Sequence, residues 1–324
     1  MRRREVLAGA AVLIAAPAVA RGSSAVDRAP RVVLITGCSS GFGRRTAEAL
    51  AAKGHAVAAS MRATDGANAG ARAELLAAAE REGWTLTVPE IDVDDPASIE
   101  QGVARTLEQH GRIDALVSNA GIGIPSPVEV SVEATEAVFR TNLFGALRVA
   151  RAVLPGMRER GDGLIAHITS GLGRLTLPGI AAYCGSKFAG EAMFEALAYE
   201  VASQGVGVSI VEPGGYATEF NANARAAHAE LMASLSDEQR ERAAAYGDTI
   251  AFALRLVGDY PQPDPAEVVN ALVALIEAPA DKRPLRQTVG RSMAGVDRIN
   301  AATAEVQDGV MRANGLGDRL PKRA

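Results

Sequence analysis

A doubly wound α/β fold, with helices on both faces of one parallel sheet, is what these 324 residues predict. Three observations carry that expectation. Short apolar, β-branched runs alternate with longer helical patterns from Arg31 to Val211. The first run, Arg31–Thr36 (RVVLIT), is almost unbroken in its hydrophobicity and ends in a glycine-rich turn, as a strand buried on both faces does. No Pro/Ser-rich linker or internal repeat divides the chain, so one domain is expected.

The elements follow in order. Arg31–Thr36 is the first strand; Arg44–Lys53 reads as a helix, stopped by Gly54, which takes a left-handed backbone at little cost. His55–Ser60 is the second strand and Ala69–Glu82 the second helix. Thr85–Ile91 makes a third strand. It leads into a helix over Pro96–His110, with Pro96 in the first turn, where a missing N–H does no harm. Ile113–Ser118 is the fourth strand, and a long helical stretch spans Val132–Arg160, its end disturbed by Pro155. Leu164–Thr169 is the fifth strand, Ala181–Gln204 a helix and Val206–Val211 the sixth strand. Residues 216–262 break the alternation with helical polar stretches and no strand, and are expected to form a lid over the carboxyl ends of the strands. Pro265–Ala278 is a further helix and Arg286–Val289 a last edge strand. The domain thus runs over 31–290, followed by a helical extension, 291–324.

Composition narrows the function. Hydrophobic residues at 48% and charged residues at 22% exclude disorder and allow a sizeable core. Aromatics reach only 4%, so close packing of alanine- and glycine-rich helices must fill much of it. A net charge of −4 argues against nucleic acid as the main partner, because phosphate binding needs a basic surface. Two cysteines, Cys38 and Cys184, are too few for a disulfide framework or a Cys-rich zinc site, and a bridge between the two is open. His55, His110, His167 and His228 show no metal-ligand spacing, so no metal is expected.

The first thirty residues read as a leader. Arg2, Arg3 and Arg4 precede an apolar run, Val6–Ala16, and Ala18-Val19-Ala20 offers small residues for cleavage. The run is too short to span a bilayer, which takes roughly 20 residues. Arg3-Arg4 resembles the twin-arginine export signal, which implies a periplasmic or exported protein. An uncleaved leader, a membrane-anchored form, or an upstream start that leaves the protein cytoplasmic are the alternatives.

Thr36-Gly37-Cys38-Ser39-Ser40-Gly41-Phe42-Gly43 joins the first strand to the first helix. Glycines here allow a tight turn and let backbone N–H groups approach a pyrophosphate at the helix N-terminus. The T-G-x-x-x-G-x-G spacing resembles the short-chain dehydrogenase/reductase family. The CSSG loop and the wording around Tyr183 are most similar to its hydroxysteroid and retinol dehydrogenase-like branch. The likeness covers residues 31–215, with a weaker continuation to 290. It implies a Rossmann fold and a nicotinamide dinucleotide held by Gly37, Ser39, Ser40, Gly41, Phe42 and Gly43. It also implies that Asp92, with Val93, meets the adenine and that Asn119-Ala120-Gly121 passes the adenine ribose. Pro213-Gly214 and Thr218 would meet the nicotinamide. The second strand ends Ala58-Ala59-Ser60-Met61-Arg62, without the acid that holds a ribose 2′-hydroxyl. Arg62 there would pair with a 2′-phosphate, assisted by Ser40, so NADP(H) is expected over NAD(H).

Tyr183 and Lys187 stand four apart, hence on one helix face, where an ammonium favours the phenolate of a nearby tyrosine. Ser170 precedes Tyr183 by the family's spacing, and Asn142 completes the catalytic tetrad the resemblance implies. Hydride would pass between the nicotinamide and a carbonyl or secondary alcohol, with no metal. Ser170 would orient the carbonyl, Tyr183 act as general acid or base, and Lys187 lower the tyrosine pKa and bind the nicotinamide ribose. Asn142 would order a water for reprotonation. Two rival readings are a dehydratase or epimerase on the same fold, and an NADP-binding sensor or scaffold without turnover. In the lid, Phe220, Leu231, Met232, Leu235, Tyr246, Phe252 and Leu254 are either walls for a lipophilic substrate or plain helix core. Arg225 and Arg242 could instead meet an anionic group. The family pairs through the helices read as 132–160 and 181–204, which implies a homodimer or homotetramer.

Overall fold

Alternate residues of the strands bury into two separate cores, which is why the strand sequences are apolar throughout. On one side of the sheet Val33, Ile35, Val57 and Val117 pack with Leu50, Leu75 and Leu272. On the other, Leu34, Leu116, Ile165 and Ile210 pack with Val149, Val153 and Phe194. Each such fully buried aliphatic side chain contributes about 1.5–3 kcal/mol of transfer free energy. The computed structural model describes residues 29–258 and 263–320. The leader lies outside the described residues but for its last two positions, as do 259–262 at the end of the expected lid and the last four of the C-terminal extension.

Among the described residues seven parallel strands form one sheet: β1 (Val32–Ile35), β2 (Ala56–Ala59), β3 (Leu86–Thr87), β4 (Ala115–Ser118), β5 (Gly163–Ile168), β6 (Val206–Pro213) and β7 (Arg286–Val289). Their order is β3-β2-β1-β4-β5-β6-β7. The order reverses between β1 and β4, and in such sheets the crevice outside the carboxyl ends at this point is where ligands bind. The helices are α1 (Gly41–Ala52), α2 (Ala69–Glu82), α3 (Pro96–His110), α4 (Val132–Phe139), α5 (Ala146–Arg160) and α6 (Ala181–Val201), then α7 (Glu219–Ser234), α8 (Asp237–Ala244), α9 (Gly247–Leu256), α10 (Ala266–Glu277) and α11 (Ala294–Ala313). None is long and apolar enough to cross a membrane. Asp95 caps α3 by accepting Ala97 N–H, and Ser131 caps α4 by accepting Ala134 N–H.

Three elements differ from expectation. The third strand is two residues long, followed by a lone bridge between Met61 and Glu90. Pro89 has no N–H to donate, so the ladder breaks there. The stretch 132–160 is two helices joined by a π-helical turn, Arg140–Gly145, and that turn carries Asn142. Pro155 does not disturb the end of α5, which continues to Arg160. The carbonyl deprived of its partner belongs to Arg151, an exposed residue, where water can satisfy it.

Candidate active site

The glycine loop and the loop after β4 are locked together across the switch point. Thr36 Oγ1 accepts the backbone N–H groups of Asn119 and Ala120 at 3.0 and 3.1 Å. Asn119 Nδ2 donates to the carbonyls of Thr36 and Gly37 at 2.8 and 3.1 Å. The approach is too close for any side chain at Gly43, where a Cβ would stand 2.4 Å from Gly37 O. Gly37 and Gly41 have φ of +74° and +58°, the left-handed region open to glycine. Gly121 lies against Asn142 Oδ1. Phe42 turns away from the crevice and packs edge-on against Tyr216.

The mouth of this loop already carries an anion. Gly41 N–H, at the start of α1, donates to Glu219 Oε2 at 3.1 Å, although the two residues lie far apart in sequence. A carboxylate is a stand-in for phosphate at a helix N-terminus, so the cradle fits a dinucleotide diphosphate. Ser40 is the N-cap of α1, but its hydroxyl makes no capping bond. Arg62 is exposed just past β2, and Ala63 beside it has a φ of +48°. Asp92 turns inward, its carboxylate accepting Asp94 N–H at 3.0 Å, and Val93 is buried against Gly145. Gly214 N–H is committed to Val289 O, and Thr218 is the N-cap of α7.

The residues expected to handle the proton meet at the carboxyl end of β5. Tyr183, near the start of α6, lies beside the Ser170 hydroxyl, which pulls the pKa of the phenol down. Ser170 Oγ in turn accepts Leu172 N–H at 3.1 Å, which fixes it in the turn after β5. Lys187 is buried, its Nζ 5.6 Å from the Tyr183 ring centroid and donating to Ile168 O at 2.9 Å. Burial lowers the Lys187 pKa to about 8, with Glu191 opposing the fall. Burial also raises Tyr183 to about 12, against the pull of the Ser170 hydrogen bond. The lowering expected from Lys187 is therefore not what sets the direction at Tyr183: burial does, and the opposing pull comes from Ser170. At neutral pH the chain holds a neutral phenol beside a cation.

Asn142 sits where the resemblance puts it, but its side chain is spent on the chain itself. Its Oδ1 accepts Ile122 N–H at 2.7 Å, and its Nδ2 donates to Ile122 O and Ser186 Oγ at 2.9 and 3.0 Å. Both amide protons are used, so the side chain braces the loop after β4 against α6. Phe220 lies over Tyr183 with ring centroids 5.4 Å apart. Leu231, Met232, Leu235 and Tyr246 cluster with Val130, Ala243 and Ile250, making them helix core instead of free walls. Arg242 pairs with Glu238 one turn away. Cys38 and Cys184 are free, buried thiols, both raised by burial.

Sequence reasoning passed over the charges beneath this site. Glu191, Glu195, Glu212, Arg174 and Arg286 come together under Ser170 and Lys187 from α6, β6, the turn after β5, and β7. Glu191 was within reach, because it stands one turn beyond Lys187 in the same helix; the others depend on strand order.

A parallel sheet with a glycine cradle at its switch point and a Ser/Tyr/Lys cluster at the end of β5 defines a dinucleotide-dependent oxidoreductase type of site. The family model for short chain dehydrogenases matches residues 31–229, and the chain belongs to that family. Human retinol dehydrogenase 8 is 38% identical over 264 residues, covering 80% of this chain and 81% of its own. Rat estradiol 17-beta-dehydrogenase 1 is 34% identical over 255 residues, 76% of this chain and 71% of its own. These relatives mark the hydroxysteroid and retinol branch. A crystal structure of a short-chain dehydrogenase from Streptomyces avermitilis superposes with a TM-score of 0.68 at 31% identity, covering 89% of this chain and 99% of that one.

Proposed function

We propose that this oxidoreductase is NADP(H)-dependent and interconverts a carbonyl with its alcohol. The observation that carries the reading is the meeting of Ser170, Tyr183 and the buried Lys187 ammonium at the end of β5, next to the glycine cradle. The bound cofactor supplies or takes the hydride at its nicotinamide ring. The chain does the rest. Ser170 donates a hydrogen bond to the carbonyl oxygen as negative charge builds there. Tyr183, kept neutral by burial, gives that oxygen its proton in reduction. Lys187 stays charged below about pH 8 and steadies the phenolate so formed. Oxidation runs the same path backwards.

Arg62 and the uncommitted hydroxyl of Ser40 support the phosphorylated cofactor, since a guanidinium pairs with a 2′-phosphate. Gly37, Gly41 and Gly43 form the diphosphate cradle, with Ser39 and Phe42 in the same loop. Asp92, Val93, Asn119, Ala120 and Gly121 line the adenosine side, and Pro213, Gly214 and Thr218 the nicotinamide side. Glu219 leaves the Gly41 N–H when diphosphate takes it. Helices α7 to α9 act as the substrate lid. A lipophilic substrate is supported by Phe220 over Tyr183 and by the apolar cluster of Leu172, Leu177, Ile180 and Leu256. Phe144, Phe188 and Met193 are exposed near or on α5 and α6, which favours pairing of two chains across that face. Export through the Arg3-Arg4 leader is part of the same proposal, and mass mapping of the secreted N-terminus tests it.

The functional test follows absorbance of NADPH and NADH with retinal, ketosteroids, quinones and simple ketones. Turnover that prefers NADPH and disappears in Tyr183→Phe supports the reading. Failure to bind either cofactor overturns it.

A further inference from the structure

We infer that Glu191 is a positioning residue whose buried charge keeps Lys187 an ammonium, by leaving the ion cluster beneath the site one positive charge short. The inference deepens the proposed reaction and rests on Lys187 serving in it.

The charges can be counted. Glu191 and Glu212 are 2% and 0% exposed, and Glu195 is largely buried. Facing these three carboxylates are two guanidiniums. Arg286 Nε donates to Glu191 Oε2 at 2.8 Å, and its NH2 pairs with Glu195. Arg174 Nε is 3.4 Å from Glu212 Oε1 and its NH2 3.9 Å from Glu191 Oε2. Three acids against two guanidiniums leave one negative charge under the site. Lys187, one helical turn before Glu191, balances it. Its Nζ donates to a neutral group, the carbonyl of Ile168, which supplies no opposite charge.

Of the remaining titratable groups, His167 and Tyr183 leave the count as it is, and Glu212 makes it depend on pH. His167 on β5 is held neutral by burial and by Lys187 itself, and Tyr183 on α6 is neutral. Glu212 on β6 is pushed up to about 7, by burial first and then by Glu191, so the cluster carries its full negative charge above that pH, where Lys187 titrates. Glu191 is the acid that opposes the fall at Lys187. A buried ammonium without an anion loses its proton near neutral pH, and an opposite charge within a helical turn restores it by about one unit or more. Glu191 also accepts Thr169 Oγ1 at 2.5 Å, tying the residue before Ser170 to the helix that carries Lys187.

The experiment reads the ammonium directly. The chain has four lysines, Lys53, Lys187, Lys282 and Lys322, so a full-length sample labelled with 13Cε-lysine gives four resolvable titrations. Lys187→Arg identifies the signal. Glu191→Gln keeps an acceptor for Thr169 and removes the charge, so Lys187 should titrate about one pH unit lower than in the wild type. Arg286→Gln removes a cation and should shift it upward. The double variant, with charge balance restored, should return it towards the wild-type value. Opposed shifts cannot come from a merely structural role, which moves both single variants alike or not at all. If Glu191→Gln does not fold, Arg286→Gln and the double variant carry the test. A Lys187 titration that is unchanged, or moves the same way in both single variants, overturns the inference. Absence of turnover would count against the proposed reaction alone, because the titration needs neither cofactor nor substrate.

Discussion

The two halves of the crevice are built from opposite materials. Where β1 meets β4, the glycine loop and the Asn119 loop are held by neutral hydrogen bonds and by backbone contact too close for a Cβ. Where β5 and β6 end, beside the start of β7, five charged side chains pack beneath Ser170 and Lys187. The difference follows from the two tasks. A half that would receive an anion is braced by neutral groups, with Glu219 alone holding its mouth, and a half that would move a proton needs fixed charge to set pKa values.

Breaking the charged half should have the largest effect. Tyr183→Phe removes the proton donor and should cost about 10²–10⁴-fold in turnover, with cofactor affinity retained in a fluorescence titration. In wild type, reduction should hold steady below about pH 8 and fall above it, because Lys187 is lowered to about 8 and loses its charge there. A limb set by Tyr183 itself would instead appear near pH 12, so a pH–rate profile separates the two.

Breaking the neutral half should act through fit. Gly43→Ala drives a methyl to 2.4 Å from Gly37 O. It should destabilise the fold by about 1–3 kcal/mol and abolish the stabilisation NADPH gives in thermal melts. The smallest effect sharpens the comparison. Glu219→Ala removes a carboxylate that rivals the diphosphate for Gly41 N–H, so NADPH should bind a few-fold more tightly. Binding of adenosine 2′,5′-bisphosphate, which lacks the bridging diphosphate, should stay the same.

Much of the neutral half was legible in the sequence. The glycine spacing and its place between an apolar run and a helix are local features, and the Asn119 loop follows from strand order. Ser170, Tyr183 and Lys187 were legible by spacing, and they do meet at the end of β5. Asn142 was found for its position, but its side chain braces Ile122 and Ser186, a use that no sequence distance reveals. The short third strand could have been seen from Pro89. The π-helical turn could not, because the sequence through Arg140–Gly145 continues the helical pattern.

Periodicity, glycine placement and the Tyr183–Lys187 spacing determined the fold class and the place of the candidate site, because each depends on neighbours within a turn or a loop. Only the tertiary structure decided which charges lie under that chemistry. Arg174, Glu191, Glu212 and Arg286 come from four separate stretches of chain, and burial sets the sign of the shifts at Tyr183 and Lys187. Desolvation is a property of everything packed around a group, and no stretch of sequence contains it.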